Sequence, residues 1–421
     1  MKKLIRFLTV TCSVFTLTTL TAHAASFGNF DPRSLAMGGT GVSSSTSSNA
    51  SYYNPAVLSM VQQDDDFSLT APIVGIRGYD PKDMLDSFEA YQDGQYETAF
   101  SNSIDAFNAS PSTATAGDAA TKGQQLLNGL ISLSNKELDF EVHGGLNLAI
   151  PGKGLGMAVH ASVRGMGGLV LNISSADTTV MQTYIDTLNV LAGGGSPGAN
   201  AVFNGTTFTL PSMTSDAHIL GVSLIEGGLS LSHEFDIFGG VSIGITPKVV
   251  QVTTFDYVVG IETANTSTEA SKRTYDDTNL DVGIAKQLSE SWKFGMVTKN
   301  IMAKDYDTAL GNTIKIKPQT RVGLSHHTNW STFALDMDLT ENESIGLTGQ
   351  KTKYLAFGME LDLSLLQLRA GIRRNLAATG AEVPDVLSAG VGLYLLGAHV
   401  DIGVAGNEDE IEAAVQLGLQ F

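Results

Sequence analysis

"EIEAAVQLGLQF", residues 410–421, places an apolar residue at every second position up to the last residue. Successive side chains of a β-strand point to opposite faces, so this spacing predicts a strand with one continuous apolar face. That face carries Ile411, Ala413, Val415, Leu417, Leu419 and Phe421. Glu410, Glu412 and Gln416 fall on the other face. The stretch therefore predicts a strand between an apolar and a polar environment.

The same period of two recurs upstream. In "STFALDMDLT" (331–340) the apolar set is Phe333, Leu335, Met337 and Leu339, and Asp336 and Asp338 lie opposite. "VLSAGVGLYLL" (386–396) repeats the pattern with small residues on its second face. Fourteen such segments can be counted. They are roughly 66–78, 138–150, 155–173, 217–235, 241–258, 277–287, 292–301, 315–327, 331–340, 352–363, 365–375, 386–396, 398–405 and 411–421.

A soluble β-sandwich and a transmembrane β-barrel both show this alternation, and three features favour the barrel. The strands have about 10 residues, as a tilted bilayer-spanning strand needs, whereas soluble strands average about 5–6. The faces opposite the apolar ones carry Gly, Ser, Thr, Asp and Lys, which suit a polar lumen. Short turns alternate with long connections, of which 79–137 and 174–216 are the longest. We therefore predict an all-β fold, an antiparallel transmembrane barrel of about fourteen strands over residues 66–421.

Two long connections contain apolar residues at helical spacing. Residues 82–108 place Met84, Leu85 and Phe88 on one face, followed by Tyr96, Phe100, Ile104 and Phe107. Residues 178–192 repeat the spacing from Val180 to Leu191. Both are predicted to be amphipathic helices in outer loops. Such helices either cap the pore or pack against each other.

The first 24 residues match a secretory signal peptide. Lys2, Lys3 and Arg6 precede an apolar stretch, and Ala22-His23-Ala24 supplies a small-x-small cleavage pattern. The one cysteine, Cys12, lies in this stretch, so we expect no disulfide, thiol catalysis or Cys-ligated metal in the exported chain. No later run of 18 apolar residues predicts a transmembrane helix. Export and a barrel together predict the bacterial outer membrane.

The chain is acidic, with a formal charge of −18 over 421 residues. Removal of residues 1–24 takes the charge to −21, because three basic residues and no acids are lost. A nucleic-acid partner is not expected, since binding a polyanion needs a cationic face.

Residues 25–65 lack strand alternation but contain conformationally restricted positions. Pro55 fixes its own φ and keeps Asn54 out of the α region, while Met37-Gly38-Gly39 can bend tightly. A segment of this kind either folds back into the barrel as a plug or forms a simple turn before the first strand.

"RSLAMGGTGVSSSTSSNASYYNPAVLS" (33–59) resembles the N-terminal hatch of FadL-type outer-membrane transporters of hydrophobic compounds, in which Ala-Met-Gly-Gly leads to Asn-Pro-Ala. The resemblance implies that Met37, Gly38, Gly39, Asn54, Pro55 and Ala56 form a plug or gate. It also implies passive uptake of a small hydrophobic ligand, without a cofactor or energy source.

A resemblance that spans more of the chain is to conjugal-transfer TraF-like outer-membrane proteins. It rests on "GITPKVVQVTTFDY" (244–257), "KPQTRVGLSHH" (317–327), "FALDMDLTENES" (333–344) and "LRAGIRRNL" (368–376). It leaves a second functional expectation open, a structural or assembly protein associated with conjugation or secretion machinery. A continuous apolar path through the lumen would favour transport, and a salt-bridged lumen would favour the structural role.

The C-terminal residues Val415, Leu417, Leu419 and Phe421 resemble the assembly signal of outer-membrane barrels. The expected partners are therefore the barrel-assembly machinery, outer-membrane lipid and lipopolysaccharide.

Other motifs do not predict catalysis or a metal site. "GGTG" (38–41) and "GKGLG" (152–156) lack the strand-loop-helix context of a phosphate loop, and no G-x-S-x-G or H-E-x-x-H occurs. We therefore expect no enzyme activity. Asp336, Asp338, Glu341 and Glu343 form an acidic cluster for which a solvated rim is favoured over a calcium site. The arginines that lie well within strands are expected to point into the lumen, since a charge on the lipid face is costly. The arginines in or beside strands are Arg77, Arg164, Arg321, Arg369, Arg373 and Arg374.

Overall fold

Fourteen antiparallel strands close into a barrel in the computed structural model, which confirms the predicted fold class and strand number. The structure describes residues 23–24, 27–28, 31–60, 67–209, 213–260, 271–343, 345, 350–377 and 383–421. The barrel strands are β2 (Ser68–Tyr79), β3 (Glu137–Ile150), β4 (Gly156–Asn172), β5 (Asp216–Phe235), β6 (Val241–Gly260), β7 (Lys272–Gln287), β8 (Trp292–Lys299), β11 (Gln319–His327), β12 (Ser331–Asp338), β15 (Tyr354–Asp362), β16 (Leu366–Asn375), β17 (Val386–Leu395), β18 (Ala398–Gly406) and β19 (Glu410–Gln420).

Five short strands lie outside the barrel sheet: β1 (His23–Ala24), β9 (Lys304–Asp307), β10 (Thr313–Ile316), β13 (Asn342–Glu343) and β14 (Lys351–Thr352). The sequence assigned residues 315–327 to one barrel strand. The structure instead ends the β9–β10 hairpin at Ile316 and begins β11 at Gln319, with Pro318 between them. Proline has no N–H to donate to a sheet ladder, so the break falls where the ladder would lose a hydrogen bond.

The helices are α1 (Pro32–Ala36), α2 (Ala50–Tyr53), a 3₁₀ helix (Pro55–Ser59), α3 (Met84–Gly94), α4 (Tyr96–Ala109), α5 (Thr113–Leu133) and α6 (Ser175–Ala192). None of the helices in the described ranges is long and apolar enough to span a membrane. The two predicted loop helices are confirmed as α3–α4 and α6. α5 was not predicted from the sequence, because its buried face consists largely of alanine and glycine beside its leucines.

The barrel wall has an apolar outer face. Val159, Ile225, Val249, Ile402 and Val415 on this face are all between 42% and 63% exposed. Exposed aromatic residues mark the end with short turns, among them Phe238, Trp330 and Phe421. An apolar band bordered by aromatic residues is the surface that a barrel presents to lipid.

The barrel is taller on one side. β5 and β6 have 20 residues each, whereas β8 and β12 have 8. Near the long-loop end, the outer faces of β3–β5 carry Leu138, Leu169 and Ala217, which Met84 and Leu85 of α3 and Leu133 of α5 cover. α4, α5 and α6 share a second apolar cluster that includes Phe100, Leu126 and Tyr184. The helices thus pack on each other and on the outside of the wall.

Candidate functional site: the lumen and its N-terminal segment

Residues 31–60, here called the lumenal segment, lie inside the barrel and are almost entirely buried. The segment opens on α1, where the Asp31 side chain accepts a hydrogen bond from Ser34 N at 3.1 Å and Pro32 occupies the first turn. Both are features of a helix start. α1 ends at Ala36 with Met37 as its C-cap, and Gly38 and Gly39 follow with φ of 72° and 90°. Such values favour glycine, so these two residues let the chain turn sharply inside the barrel.

Asn54 connects three parts of the lumen. It is extended (φ −152°, ψ 104°) before Pro55, and its Oδ1 accepts from Ala56 N at 3.1 Å, capping the 3₁₀ helix. Its Nδ2 donates to Val42 O at 2.9 Å and to Ile284 O of β7 at 3.1 Å. The Asn54-Pro55-Ala56 turn is therefore bonded both to the rest of the segment and to the wall.

A chain of ion pairs joins α1 to the wall. Arg33 Nε and Nη2 donate to the Glu360 carboxylate at 2.9 and 2.8 Å, and Arg369 Nε donates to the same carboxylate at 2.6 Å. Arg369 also pairs with Asp401 of β18. Burial lowers the pKa of Arg33, but the adjacent Glu360 carboxylate outweighs burial and raises it. The pairing is bidentate and buried, so it fixes orientation as well as charge.

One carboxylate of β12 binds the same segment directly, and a second does so through Arg321. Asp336 Oδ2 accepts from Gly41 N at 2.8 Å and from Val42 N at 2.9 Å. Asp338 pairs with Arg321 at 2.6 Å, and Arg321 Nη1 donates to Gly39 O at 3.0 Å. The assignment of Asp336 and Asp338 to a solvated rim is therefore wrong, because both lie on the inward face of β12 and are about 1% exposed.

Phe27 lies beside the lumenal segment between two cations. Lys299 Nζ is 4.3 Å from the centroid of its ring, and Arg321 Cζ is 4.1 Å away. Its ring also packs with Tyr53, at 6.3 Å between centroids. Cations over an aromatic face attract it electrostatically, which adds to the apolar burial of Phe27.

Ten glycines on ten barrel strands make room for this segment. A Cβ added at any of them would come within 3.0 Å of an atom of the lumenal segment, tighter than nearly all real Cβ contacts. Eight of them form four directly opposed pairs on neighbouring strands: Gly244 with Gly283, Gly295 with Gly323, Gly358 with Gly371, and Gly390 with Gly403. The other two are Gly145 of β3 and Gly156 of β4. We call this set the glycine ring.

From Pro32 to Val42 the contacts progress round the wall, from Gly403 of β18 to Gly323 of β11. The segment then reaches β3, where Ser51 Oγ donates to Asn147 Oδ1 at 2.7 Å. Asn54 lies against β7 and Leu58 against Gly156 of β4. The segment therefore contacts the inner wall on most sides of the barrel.

Charged residues line the lumen beside the segment. A cavity of about 40 Å³, enough for a few water molecules, is bordered by Gly39 and by Arg77, Glu141, His143 and Arg373. Arg77 and Arg373 pair with Glu410 and Glu412, and Arg164 pairs with Glu141. The prediction that strand arginines point into the lumen is confirmed for these, and there each pairs with acids. Arg374 instead lies exposed at the long-loop end and pairs with Asp385, whose pKa its hydrogen bond lowers.

The lumen is apolar on one sector nearer the long loops. Met166 of β4, Leu220, Val222 and Leu224 of β5, and Val250 and Val252 of β6 share one buried cluster and face inward. We call this set the apolar wall. Tyr306, Ile314 and Ile316 of the β9–β10 hairpin cover it, together with Ile345. A barrel interior is ordinarily polar, so this sector stands apart from the rest of the lumen.

One carboxylate holds the hairpin in place. Asp256 of β6 is fully buried and accepts hydrogen bonds from Thr308 and, at 2.9 Å, from Asn312 Nδ2, both in the hairpin turn. His218 Nε2 lies 2.9 Å from its other oxygen. At the hairpin's edge, Tyr275 OH donates to Asp307 O at 2.8 Å. The hairpin is thus attached through its turn and one edge.

Asp177 of α6 anchors the helical layer to the start of β5. Its carboxylate accepts from Thr214 N and Oγ1 at 2.9 Å, and from Ser215 N at 2.5 Å. Burial raises the pKa of Asp177, but these hydrogen bonds from Ser215 and Thr214 outweigh it and lower the pKa. Charge-assisted bonds of this kind favour the ionised carboxylate.

The predicted C-terminal assembly residues lie on the lipid side. Val415, Leu417 and Leu419 are 39–45% exposed, and Phe421 is 59% exposed. Phe421 and Phe67 exchange two backbone hydrogen bonds of 3.0 Å, which extend the pairing of β19 with the start of β2. Nothing in this arrangement tests recognition by an assembly machine, so that role stays a prediction. Residues 1–22, most of the predicted signal peptide, lie outside the described residues.

The sequence analysis did not identify the glycine ring, Glu360 as the partner of Arg33, or the apolar wall. The inward glycines were visible as small residues on the second face of each strand. Their common neighbour, the lumenal segment, could not be identified from the sequence, because a strand pattern gives no information about what a lumen contains.

The fold is similar to solved outer-membrane channels. The P. putida toluene transporter TodX matches with a TM-score of 0.51 and 12% identity, over 94% of this chain and 99% of that one. The Ralstonia pickettii toluene transporter TbuX matches with a TM-score of 0.50 and 10% identity, over 93% and 98%. At this identity the likeness establishes the fold alone. A search of curated proteins gives no match.

A family model also matches the sequence, over residues 51–338, more than half of the chain. The matched region begins in the Ser51–Tyr53 part of the lumenal segment and ends at Asp338, so it includes the apolar wall and β12. The chain therefore belongs to the family described as F plasmid transfer operon, TraF, protein.

Proposed function

We propose that this protein is an outer-membrane barrel for passive uptake of small hydrophobic compounds, in which the lumenal segment is the barrier. The observation that carries the proposal is the apolar wall, which offers an inward apolar surface just beyond a lumen otherwise lined by ion pairs. Binding there is driven by removal of apolar ligand surface from water, at about 25 cal/mol per Å². No cofactor, metal, catalytic step or energy source enters this scheme.

The hairpin β9–β10 occupies the surface that a ligand would use. When no ligand is bound, the apolar wall is in contact with Tyr306, Ile314 and Ile316 of the hairpin. A hydrophobic compound entering from the long-loop side displaces these side chains and replaces their contacts. Because these contacts are lost, the net gain on binding is smaller than it would be for an uncovered apolar wall.

In this proposal, residues 25–65 are the plug and Met37, Gly38, Gly39, Asn54, Pro55 and Ala56 set its shape. Positive φ at Gly38 and Gly39 and the bonds of Asn54 support a fixed conformation. Passage then requires part of this segment to leave the wall. Residues 1–24 are the signal peptide, and lipopolysaccharide and the barrel-assembly machinery are the envelope partners.

A second candidate is a structural or assembly protein of a conjugation or secretion machine. The glycine ring and the ion pairs of Arg33, Arg321 and Arg369 favour it, because they hold the lumenal segment as an integral part of the barrel. The family description is consistent with such a role.

The two candidates are separated by what the purified barrel holds. The wild type, Val252→Asn and Val249→Asn are purified from outer membranes in mild detergent, and bound small molecules are identified by mass spectrometry. Val252 belongs to the apolar wall, whereas Val249 on the same strand is 63% exposed on the lipid side. Uptake predicts a stoichiometric hydrophobic compound in the wild type and Val249→Asn, and its loss in Val252→Asn. An empty lumen in all three favours the structural role.

A further inference from the structure

The lipid-facing wall has a furrow at the long-loop end of β17, β18, β19 and β2. In the outermost cross-strand row, Leu387, Gly406, Ile411 and Gly78 lie side by side, alternating large and small. The next row is Ala389, Val404, Ala413 and Ile76. The third row, Val391, Ile402, Val415 and Val74, contains no small residue. The wall is therefore thinner over its outer two rows than below them.

A cavity of about 550 Å³ fills this thinner zone. Its floor is formed by the small residues, and Leu85 of α3 and Leu138 of β3 form one side. Asp80 fixes that side, because its carboxylate accepts from Met84 N at 2.6 Å and Leu85 N at 3.1 Å. Leu387 and Val404, which also border the cavity, are 62% and 51% exposed on the lipid side.

We propose that this furrow binds one acyl chain of an outer-leaflet lipid. The furrow is continuous with the apolar band that contacts the membrane, and its floor and sides are apolar. The side chains of Ser388, Glu410 and Glu412, which also belong to the lining, bond on the lumenal side of the wall. The other polar residues of the lining form a border at the long-loop end: Asp80, Asn407, Glu408 and Asp409. In outer-membrane barrels this end faces the cell exterior, so a lipid with its headgroup at the border would extend its chain along the furrow.

A solute in transit is a poorer fit than a lipid. Between the furrow and the lumen stand hydrogen-bonded strands without a gap, since β17–β18, β18–β19 and the outer half of β19–β2 pair in continuous register. On the lumenal side of this wall, Ala36 packs against Gly390 and Ser388 Oγ bonds to Ala36 O and Gly38 N, both at 2.9 Å. The furrow is therefore separate from the proposed uptake route and does not depend on it.

The test fills the furrow and counts retained lipid. Ala389→Leu/Ala413→Leu enlarges two side chains of its floor, and Ala398→Leu enlarges one exposed side chain at the short-turn end of β18, which matches the single variant Ala389→Leu. Each protein is purified from outer membranes, its folding is checked by heat-dependent gel mobility, and bound lipids are counted by native mass spectrometry. The single variant Ala389→Leu provides the test should the double variant not fold.

The furrow proposal predicts at least one tightly held lipid per barrel in the wild type and in Ala398→Leu, with retention roughly tenfold lower in the filled variants. Equal lipid counts in all proteins would overturn it. A small hydrophobic solute retained in the furrow in place of lipid would also overturn it.

Discussion

Arg33 in the lumenal segment and Glu360 in β15 form a buried bidentate ion pair across 327 residues of sequence. Glu360 also binds Arg369, so the wall holds a carboxylate between two guanidinium groups, one of which belongs to the segment. Among the described contacts, this pair is a direct ion pair between a side chain of the segment and a side chain of the wall.

Replacing Arg33 with alanine is expected to destabilise the attachment of α1 by about 3 kcal/mol, because breaking a buried pair leaves an under-compensated carboxylate. Hydrogen exchange of residues 31–44, measured by mass spectrometry, should accelerate accordingly. Arg374→Ala removes an exposed bidentate pair with Asp385 and should cost less than about 1 kcal/mol. Equal exchange in the wild type and Arg33→Ala would show that the pair does not hold the segment.

Gly283→Ala is expected to displace the Asn54–Pro55 turn. The new Cβ would overlap Asn54 Oδ1, which cannot shift without giving up its cap of Ala56. Gly227→Ala is the matched control, since its Cβ faces lipid and would lie 3.5 Å from Val249, an ordinary contact. Limited proteolysis from the periplasmic side should cleave the lumenal segment in Gly283→Ala and spare it in Gly227→Ala. Resistance in both would mean that the ring tolerates added bulk.

Asp256→Ala should release the β9–β10 hairpin. Thr308, Asn312 and His218 lose a shared buried acceptor, which costs about 1–3 kcal/mol for each group left unsatisfied. The backbone amides of 304–316 are therefore expected to exchange at least tenfold faster. The control is Asp305→Ala, on the same hairpin, whose side chain is 62% exposed and pairs with Lys315 at 3.9 Å. An unchanged exchange rate in Asp256→Ala would show that Asp256 does not hold the hairpin in place.

At acid pH, protonation of Asp177 should weaken the attachment of α6 to the start of β5. The folded-state pKa of Asp177 is depressed, so its contribution is fully present above the unfolded pKa of about 4 and is lost as pH falls through the folded pKa. The protection factors of the amides at the start of α6, in which the intrinsic pH dependence of exchange is divided out, should therefore fall below about pH 4 in the wild type. In Asp177→Asn these protection factors should be lower at neutral pH and respond less to acid. A parallel pH response in both proteins would exclude Asp177 as its source.

Period-two alternation was enough to place all fourteen barrel strands, because each strand separates lipid from lumen and one register error would exchange the two faces. The same reasoning placed Arg369 and Arg373 in the lumen. α5 was missed because alanine and glycine at Ala116, Ala119 and Gly123 give little apolar signal, although they allow close helix packing.

The candidate site was less accessible to sequence. Asn54-Pro55-Ala56 could be singled out by its backbone restrictions, but Arg33 and Glu360 are distant in sequence and carry no shared motif. The sequence did not show that Asp336 and Asp338 lie against the lumenal segment, because nothing in it gives the position of Gly41 and Val42. The role of the glycines opposed across four strand pairs is visible only in the structure, where all of them lie against the lumenal segment.

The central claim, that the lumenal segment is the barrier to passage of hydrophobic compounds, is tested most directly by uptake of radiolabelled toluene. The probe is offered to outer-membrane vesicles carrying no protein, wild type, Gly283→Ala, Asn54→Ala or Gly227→Ala, in equal folded amounts. We predict uptake above the empty vesicles for wild type and Gly227→Ala, and faster uptake for Gly283→Ala and Asn54→Ala. Uptake in all four proteins equal to that of empty vesicles would favour the structural role. Equal uptake above that level by wild type, Gly283→Ala and Asn54→Ala would contradict the claim that the segment is the barrier.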